Sequence, residues 1–130
     1  MIAKIRSQEA AKTPGEADLI ARIDQLLTEL APEITERPIS VTWRPMRERW
    51  GSCTSVDRSI RISDRLKLAP DYALDYVLFH EAIHLQYFDH GSEFTDVLAR
   101  FEDSELASAY LDGYEAAERA MLPPLELEKL

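Results

Sequence analysis

The sequence predicts one small α+β domain on three observations. An apolar stripe at helical spacing runs through residues 16–31, three short β-prone segments lie between residues 39 and 63, and helical patterning returns from Pro70 to about Met121. At 130 residues and 45% hydrophobic content, the chain is large enough to bury a single core without staples. It is read as one domain over residues 1–130, loose at 1–13 and 122–130.

Taken in order, Pro14-Gly15 opens the first helix, in which Leu19, Ile20, Ile23, Leu26, Leu27 and Leu30 form a broad apolar face and which Pro32 helps to end. Ile39-Ser40-Val41-Thr42-Trp43 alternates as a half-buried strand does. Trp50 to Thr54 is expected as a second strand and Ser59 to Ser63 as a third, joined by a turn at Val56-Asp57-Arg58. Pro70 suits a first helical position, and Asp71 and Asp75 favour the positive end of that helix. Leu74, Val77, Leu78 and Leu85 then keep the helical spacing. Ser92 is a candidate cap for a helix reaching Arg100 or Phe101, and Asp103 or Ser104 for another reaching about Met121. The closing run from Pro123 to Leu130 is expected to be a tail.

All three histidines of the chain fall within eleven residues, in His80-Glu81-Ala82-Ile83-His84 and His90. Four residues apart on a helix, His80 and His84 point one turn above the other from the same face, with Glu81 beside them. That is the arrangement by which two imidazoles grip a zinc ion while a carboxylate takes a proton from water that the ion acidifies. Were the helix to continue, His90 would lie about 120° around it from His84, so the chain must turn. Asp89-His90-Gly91 is the expected place, with Gly91 free to adopt positive φ. The histidine spacing equals that of metzincins, but Tyr87 stands where their turning glycine would be, and Met121 makes no convincing methionine turn. Glu93, Glu102 and Glu105 are the competitors of His90 for the third ligand position.

Further residues bring a family into view. Arg49-Trp50-Gly51-Ser52-Cys53, Ile60-Arg61-Ile62, Leu68-Ala69-Pro70, Leu74-Asp75-Tyr76-Val77, His80-Glu81-x-x-His84-Leu85, Asp89-His90-Gly91 and Phe94 together resemble the YgjP-like metallopeptidases, relatives of the SprT-type proteases. The likeness covers about residues 38–101. It implies a small zincin-like domain, a sheet of about three strands packed on the active-site helix, with flanking helices. It also implies one Zn²⁺ on His80, His84 and His90, with Glu81 as general base. Some family members are described as nucleotide pyrophosphatases, which is the first alternative to peptide hydrolysis; a non-catalytic, metal-stabilised interaction module is the second.

The lone cysteine, Cys53, excludes an internal disulfide and fits a reducing compartment. Met1 to Ser7 carries no apolar run of signal-peptide length, and no stretch approaches the ~20 apolar residues of a membrane span, so a cytoplasmic protein is expected. The formal charge of −9 is unevenly spread: residues 1–36 carry −3, residues 37–67 carry +5 and residues 68–130 carry −11. Arg44, Arg47, Arg49, Arg58, Arg61, Arg65 and Lys67 lie in or near the expected strands, where solvated strand faces are the simpler reading. SprT relatives act on DNA-bound protein, which keeps nucleic acid as a less favoured partner; overall acidity opposes phosphate neutralisation. The expected partner is a peptide or protein substrate, and the sequence leaves the oligomeric state open.

An extended peptide can pair with a strand edge above the motif helix, and Trp50, Gly51, Ser52 and neighbouring Arg49 are the candidate substrate-binding residues. Gly51 would permit close backbone approach and Trp50 would supply an apolar wall. Tyr87, Tyr110, Tyr114, Arg47 and Arg49 are candidate donors to a developing oxyanion. Asp75, Asp89, Glu93, Asp96 and Glu102 are candidates to orient a histidine.

Overall fold

The computed structural model describes residues 13–121; apart from Thr13, the ends expected to be loose lie outside them. In chain order come helix α1 (Glu16–Leu30), strands β1 (Ser40–Arg44), β2 (Gly51–Thr54) and β3 (Ser59–Ser63), a 3-10 turn (Asp64–Leu66), and helices α2 (Asp71–Ile83), α3 (Ser92–Leu98) and α4 (Ser104–Ala120). Strand order is β1-β3-β2. Central β3 runs parallel to β1 and antiparallel to β2, which leaves the outer side of β2 as a sheet edge.

β2 and β3 form a hairpin. Its turn puts Arg58 at φ 54°, a left-handed conformation in which Asp57 accepts hydrogen bonds from the Ser59 amide (3.2 Å) and hydroxyl (2.7 Å). Alternation along the strands then directs Val41, Ile60 and Ile62 inward, where they are fully buried together with Leu19, Ile23 and Leu27 of α1. Helix α2 is different in kind. It touches α1, α3, α4, β2 and β3, and buries Leu74, Val77, Leu78, Phe79, Ala82 and Ile83, so it is apolar almost all round and forms the centre of the molecule. The His-Glu motif therefore sits at the end of the element that packs against the most others.

Element types follow the sequence expectations, and the ends shift for identifiable reasons. Strand β1 starts at Ser40, one residue late. Pro70 precedes α2 as its cap, at ψ 149°, so Asp71 is the first helical residue. Gly91 rather than Ser92 caps α3, which ends at Leu98. Asp103 caps α4 by position, without a side-chain hydrogen bond.

The chain bends at Asp89-His90-Gly91 as expected, and the larger correction concerns where the helix ends before it and the conformation of Gly91. Helix α2 stops at Ile83, well before Asp89, and Gly91 has an ordinary φ of −73°. Tightened hydrogen bonds end the helix: the Leu85 amide donates to Ala82 O (3.1 Å) and the Gln86 amide to Ile83 O (3.1 Å). Gln86 then ties the departing chain to the segment after α1, accepting from the Thr35 amide at 3.2 Å, while Leu85 is buried beneath it. No left-handed glycine is required.

Candidate metal centre and active site

His80 lies in the last turn of α2, His84 is the residue that closes the helix, and His90 arrives from the loop that follows. One nitrogen from each ring lies within 4.8 Å of the others. His84 Nε2 and His90 Nε2 are 3.2 Å apart; two nitrogens bound tetrahedrally at 2.0–2.1 Å from one zinc would be separated by about 3.3 Å. Among the described residues no carboxylate or thiol joins this group, so Glu93, Glu102, Glu105 and Cys53 stand outside it. An all-imidazole set suits Zn²⁺ and fits a resident ion.

The tautomer of His84 follows from its neighbour. Its Nδ1 is 3.0 Å from the Tyr87 carbonyl oxygen, which can only accept, so Nδ1 carries the hydrogen and Nε2 keeps its lone pair for the centre. Burial lowers the His84 pKa below the ordinary histidine range, against the opposing pull of that carbonyl, and so favours the neutral ligating form. None of the acidic residues proposed to orient a histidine does so here. Asp75 pairs with Arg22 on α1, and Asp89 accepts from the Gly91 amide at 3.1 Å.

Phe94 on α3 is the supporting residue to which sequence reasoning gave no role. It is 3% exposed and stacks on His84, with centroids 4.5 Å apart and planes 25° apart. Its ring also meets His80 (4.9 Å) and His90 (4.8 Å) in edge-on contacts. One buried aromatic ring therefore braces all three imidazoles. The available signal was an aromatic four residues after the third histidine, on the helix that opens there.

Glu81 is 7% exposed, and its Oε2 lies 3.2 Å from His80 Nδ1. Strand β2 passes directly over it. A Cβ at Gly51 would stand 3.0 Å from Glu81 Cγ, 3.1 Å from Val77 Cγ1 and 3.2 Å from Arg61 O. The missing side chain thus lets the strand approach the helix, whereas the sequence reading assigned that space to substrate.

Two cavities meet at Gly51, His80 and Glu81. The first, of about 410 Å³, contains the three histidines and is walled by Arg49, Ser52, Cys53 and Phe88. The second, of about 350 Å³, runs the other way between Trp50, Tyr76 and helix α4. All four substrate-binding candidates line one or the other. The Ser52 hydroxyl, however, accepts from Arg61 Nε at 2.7 Å, and its backbone pairs with Arg61 on β3, which leaves the backbones of Gly51 and Cys53 to the edge.

Trp50 is anchored as a wall. Its indole N–H donates to Glu115 Oε1 (2.6 Å), Tyr114 packs edge-on at 5.4 Å, and the Arg65 guanidinium lies 3.8 Å from the ring centroid. Arg65 also donates to Glu118 Oε1 and to Arg49 O, both at 2.8 Å, and so fixes the corner that leads into β2. Other donor candidates lie elsewhere. Arg47 pairs with Asp64 at 3.3 Å, Tyr110 packs against Tyr72, and Tyr87 contributes its carbonyl. Burial, reinforced by the negative charge of Glu81, pushes the Cys53 thiol up to about 11.

An HExxH helix under a small mixed sheet is the arrangement of a zincin-like metallopeptidase. Residues 6–111 match the family model described as YgjP-like, metallopeptidase domain, and the chain belongs to that family. Two solved structures share the fold. The metallopeptidase zymogen abylysin of Pyrococcus abyssi is 20% identical with a TM-score of 0.60, covering 78% of this chain and 92% of its own. The metallopeptidase zymogen jannalysin of Methanocaldococcus jannaschii is 19% identical with a TM-score of 0.56, covering 77% and 95%. No curated protein gives a match.

Proposed function

We propose that the chain hydrolyses peptide bonds using one zinc ion held by His80, His84 and His90, with Glu81 as the general base. The observation that carries this reading is the convergence of three imidazole nitrogens within 4.8 Å of one another, next to a glutamate that is 7% exposed. Zinc, when bound, supplies Lewis acidity toward water and toward the substrate carbonyl.

The remaining work belongs to the chain. His84, with Nδ1 committed to Tyr87, presents Nε2 in a fixed orientation, and Phe94 keeps the three rings from splaying. Glu81 accepts a proton from the attacking water and returns it to the leaving amine. The free edge of β2 offers backbone amides and carbonyls to an extended peptide, which brings its carbonyl over the site. Arg49, at the rim of the cavity with the histidines, is available to a substrate carbonyl or carboxylate. The lone cysteine supports a cytoplasmic setting, and among the described residues no helix is long and apolar enough to cross a membrane.

The test compares zinc-loaded wild type with Glu81→Gln on casein, unfolded peptides and nucleoside triphosphates. Peptide cleavage should fall by ~10² or more in the variant at unchanged zinc content. Equal cleavage by both proteins eliminates the general-base role. Triphosphate turnover without proteolysis would replace the peptidase reading with a pyrophosphatase.

A further inference from the structure

We propose that the cavity between Trp50 and α4 selects a basic side chain, lysine or arginine, next to the bond being cleaved, and that Asp112 and Glu115 set this preference. The proposal rests on the peptidase reading and adds the class of residue the site takes. The cavity opens at His80 and Glu81, so a substrate side chain beside the reacting carbonyl is the group positioned to enter it. Its volume of about 350 Å³ lies near the lower end of ligand pockets, about 300–1,000 Å³, and leaves room for a long side chain.

The lining divides by chemistry. Trp50, Tyr76, Val77 and Leu111 make an apolar passage, while Asp112 and Glu115, three residues apart on α4, bring carboxylates to its far wall. Glu115 is held in place because its Oε1 accepts the Trp50 indole N–H at 2.6 Å. Among the described residues neither Asp112 nor Glu115 has a basic group within salt-bridge distance. The nearby Arg65 is engaged with Glu118, Arg49 O and the Trp50 ring. Buried Glu81, lining the same cavity where it meets the histidines, adds a third carboxylate.

A methylene stem fits the apolar passage and a cationic head completes the unpaired charge. An acidic side chain would face three carboxylates within a segment, residues 68–130, that carries a formal −11. A leucine would gain the passage and leave the carboxylates to water.

The experiment follows the Trp50 indole N–H resonance in full-length, metal-free protein titrated with Nα-acetyl-arginine amide or Nα-acetyl-leucine amide. Trp43 serves as internal control, since its indole donates to Pro14 O at 3.0 Å elsewhere. The arginine compound should shift Trp50 saturably, at an affinity at least ten-fold above that of the leucine compound. Asp112→Asn with Glu115→Gln should weaken arginine binding at least ten-fold and change leucine binding less than two-fold. Glutamine preserves the acceptor for Trp50, and Asp112→Asn alone, at an exposed position, should still cost arginine at least three-fold. Leucine binding as tight as arginine, or arginine binding indifferent to the variants, overturns the proposal.

A peptide library on the zinc-loaded enzyme separates this inference from the reading beneath it. Cleavage with no enrichment of lysine or arginine beside the scissile bond overturns the selectivity alone. Arginine binding at Trp50 with no peptide cleaved under any condition removes the peptidase reading and leaves the cation pocket standing.

Discussion

Gly51 on the edge strand and Glu81 on the central helix are in contact through an absent side chain: a Cβ at position 51 would stand 3.0 Å from Glu81 Cγ. The restriction is one of space, since Gly51 does not have positive φ. Gly51→Ala should therefore push on Glu81, Val77 and the Arg61 carbonyl together, and Gly51→Val should overpack the junction at a cost of about 1–3 kcal/mol. With zinc content unchanged, Gly51→Ala is expected to lower kcat about ten-fold through displacement of the base. Steady-state kinetics beside metal analysis checks this; unaltered kcat would mean that Glu81 tolerates the shift.

Phe94 supports the centre without offering it a ligand. Phe94→Leu retains apolar bulk but loses the stacked and edge-on contacts with the three imidazoles, and zinc affinity should drop about ten-fold, as with loss of other outer supports. Competition with a chromogenic chelator measures it. Phe94→Ala adds a cavity and should cost about 3–5 kcal/mol in stability.

Arg65 ties three parts of the fold to one guanidinium whose side chain is 3% exposed, paired with a Glu118 carboxylate that is 37% exposed. Because that partner still reaches water, Arg65→Ala should destabilise by about 2–3 kcal/mol, below the ~3–5 kcal/mol of a fully buried pair. Urea unfolding reports the loss. Arg65→Lys should rescue it only partly, because an ammonium cannot serve Glu118, Ser63 and Arg49 O in one plane while covering Trp50.

Cys53 offers a pH test. With its pKa raised from 9.0 to about 11 by burial first and Glu81 second, the folded thiol stays protonated through neutral pH. Alkylation of the native metal-free protein at pH 8 should be about 100-fold slower than in urea, because the raised pKa leaves correspondingly less thiolate. The native rate should keep climbing to beyond pH 10. A plateau near pH 8.5 would contradict the buried environment.

How far the sequence could be read depended on whether information was local. Periodicity located α1, α2 and β1, turn and cap residues located the other strands and α-helices, and the i, i+4 histidines placed two imidazoles on one face, because all of these signals are local. The bend at Asp89-His90-Gly91 was legible, but the earlier end of the helix was not, since backbone tightening after Ile83 and the tether from Gln86 to Thr35 leave no glycine signature. The Tyr87 carbonyl that orients His84 was invisible for a similar reason: a main-chain acceptor belongs to every residue type. Gly51 was recognised as a site of close approach, and only the third dimension revealed that the approaching group is Glu81.

Anomalous diffraction at the zinc edge from crystals of the zinc-loaded protein addresses the centre most directly. The account predicts one ion, roughly 2.0–2.1 Å from a nitrogen of each of His80, His84 and His90, with a fourth position open to solvent beside Glu81. An ion bound instead by Glu93, Glu102 or Glu105 in place of His90, a fourth position closed by Cys53, or zinc-replete crystals with no ion among these histidines would contradict it.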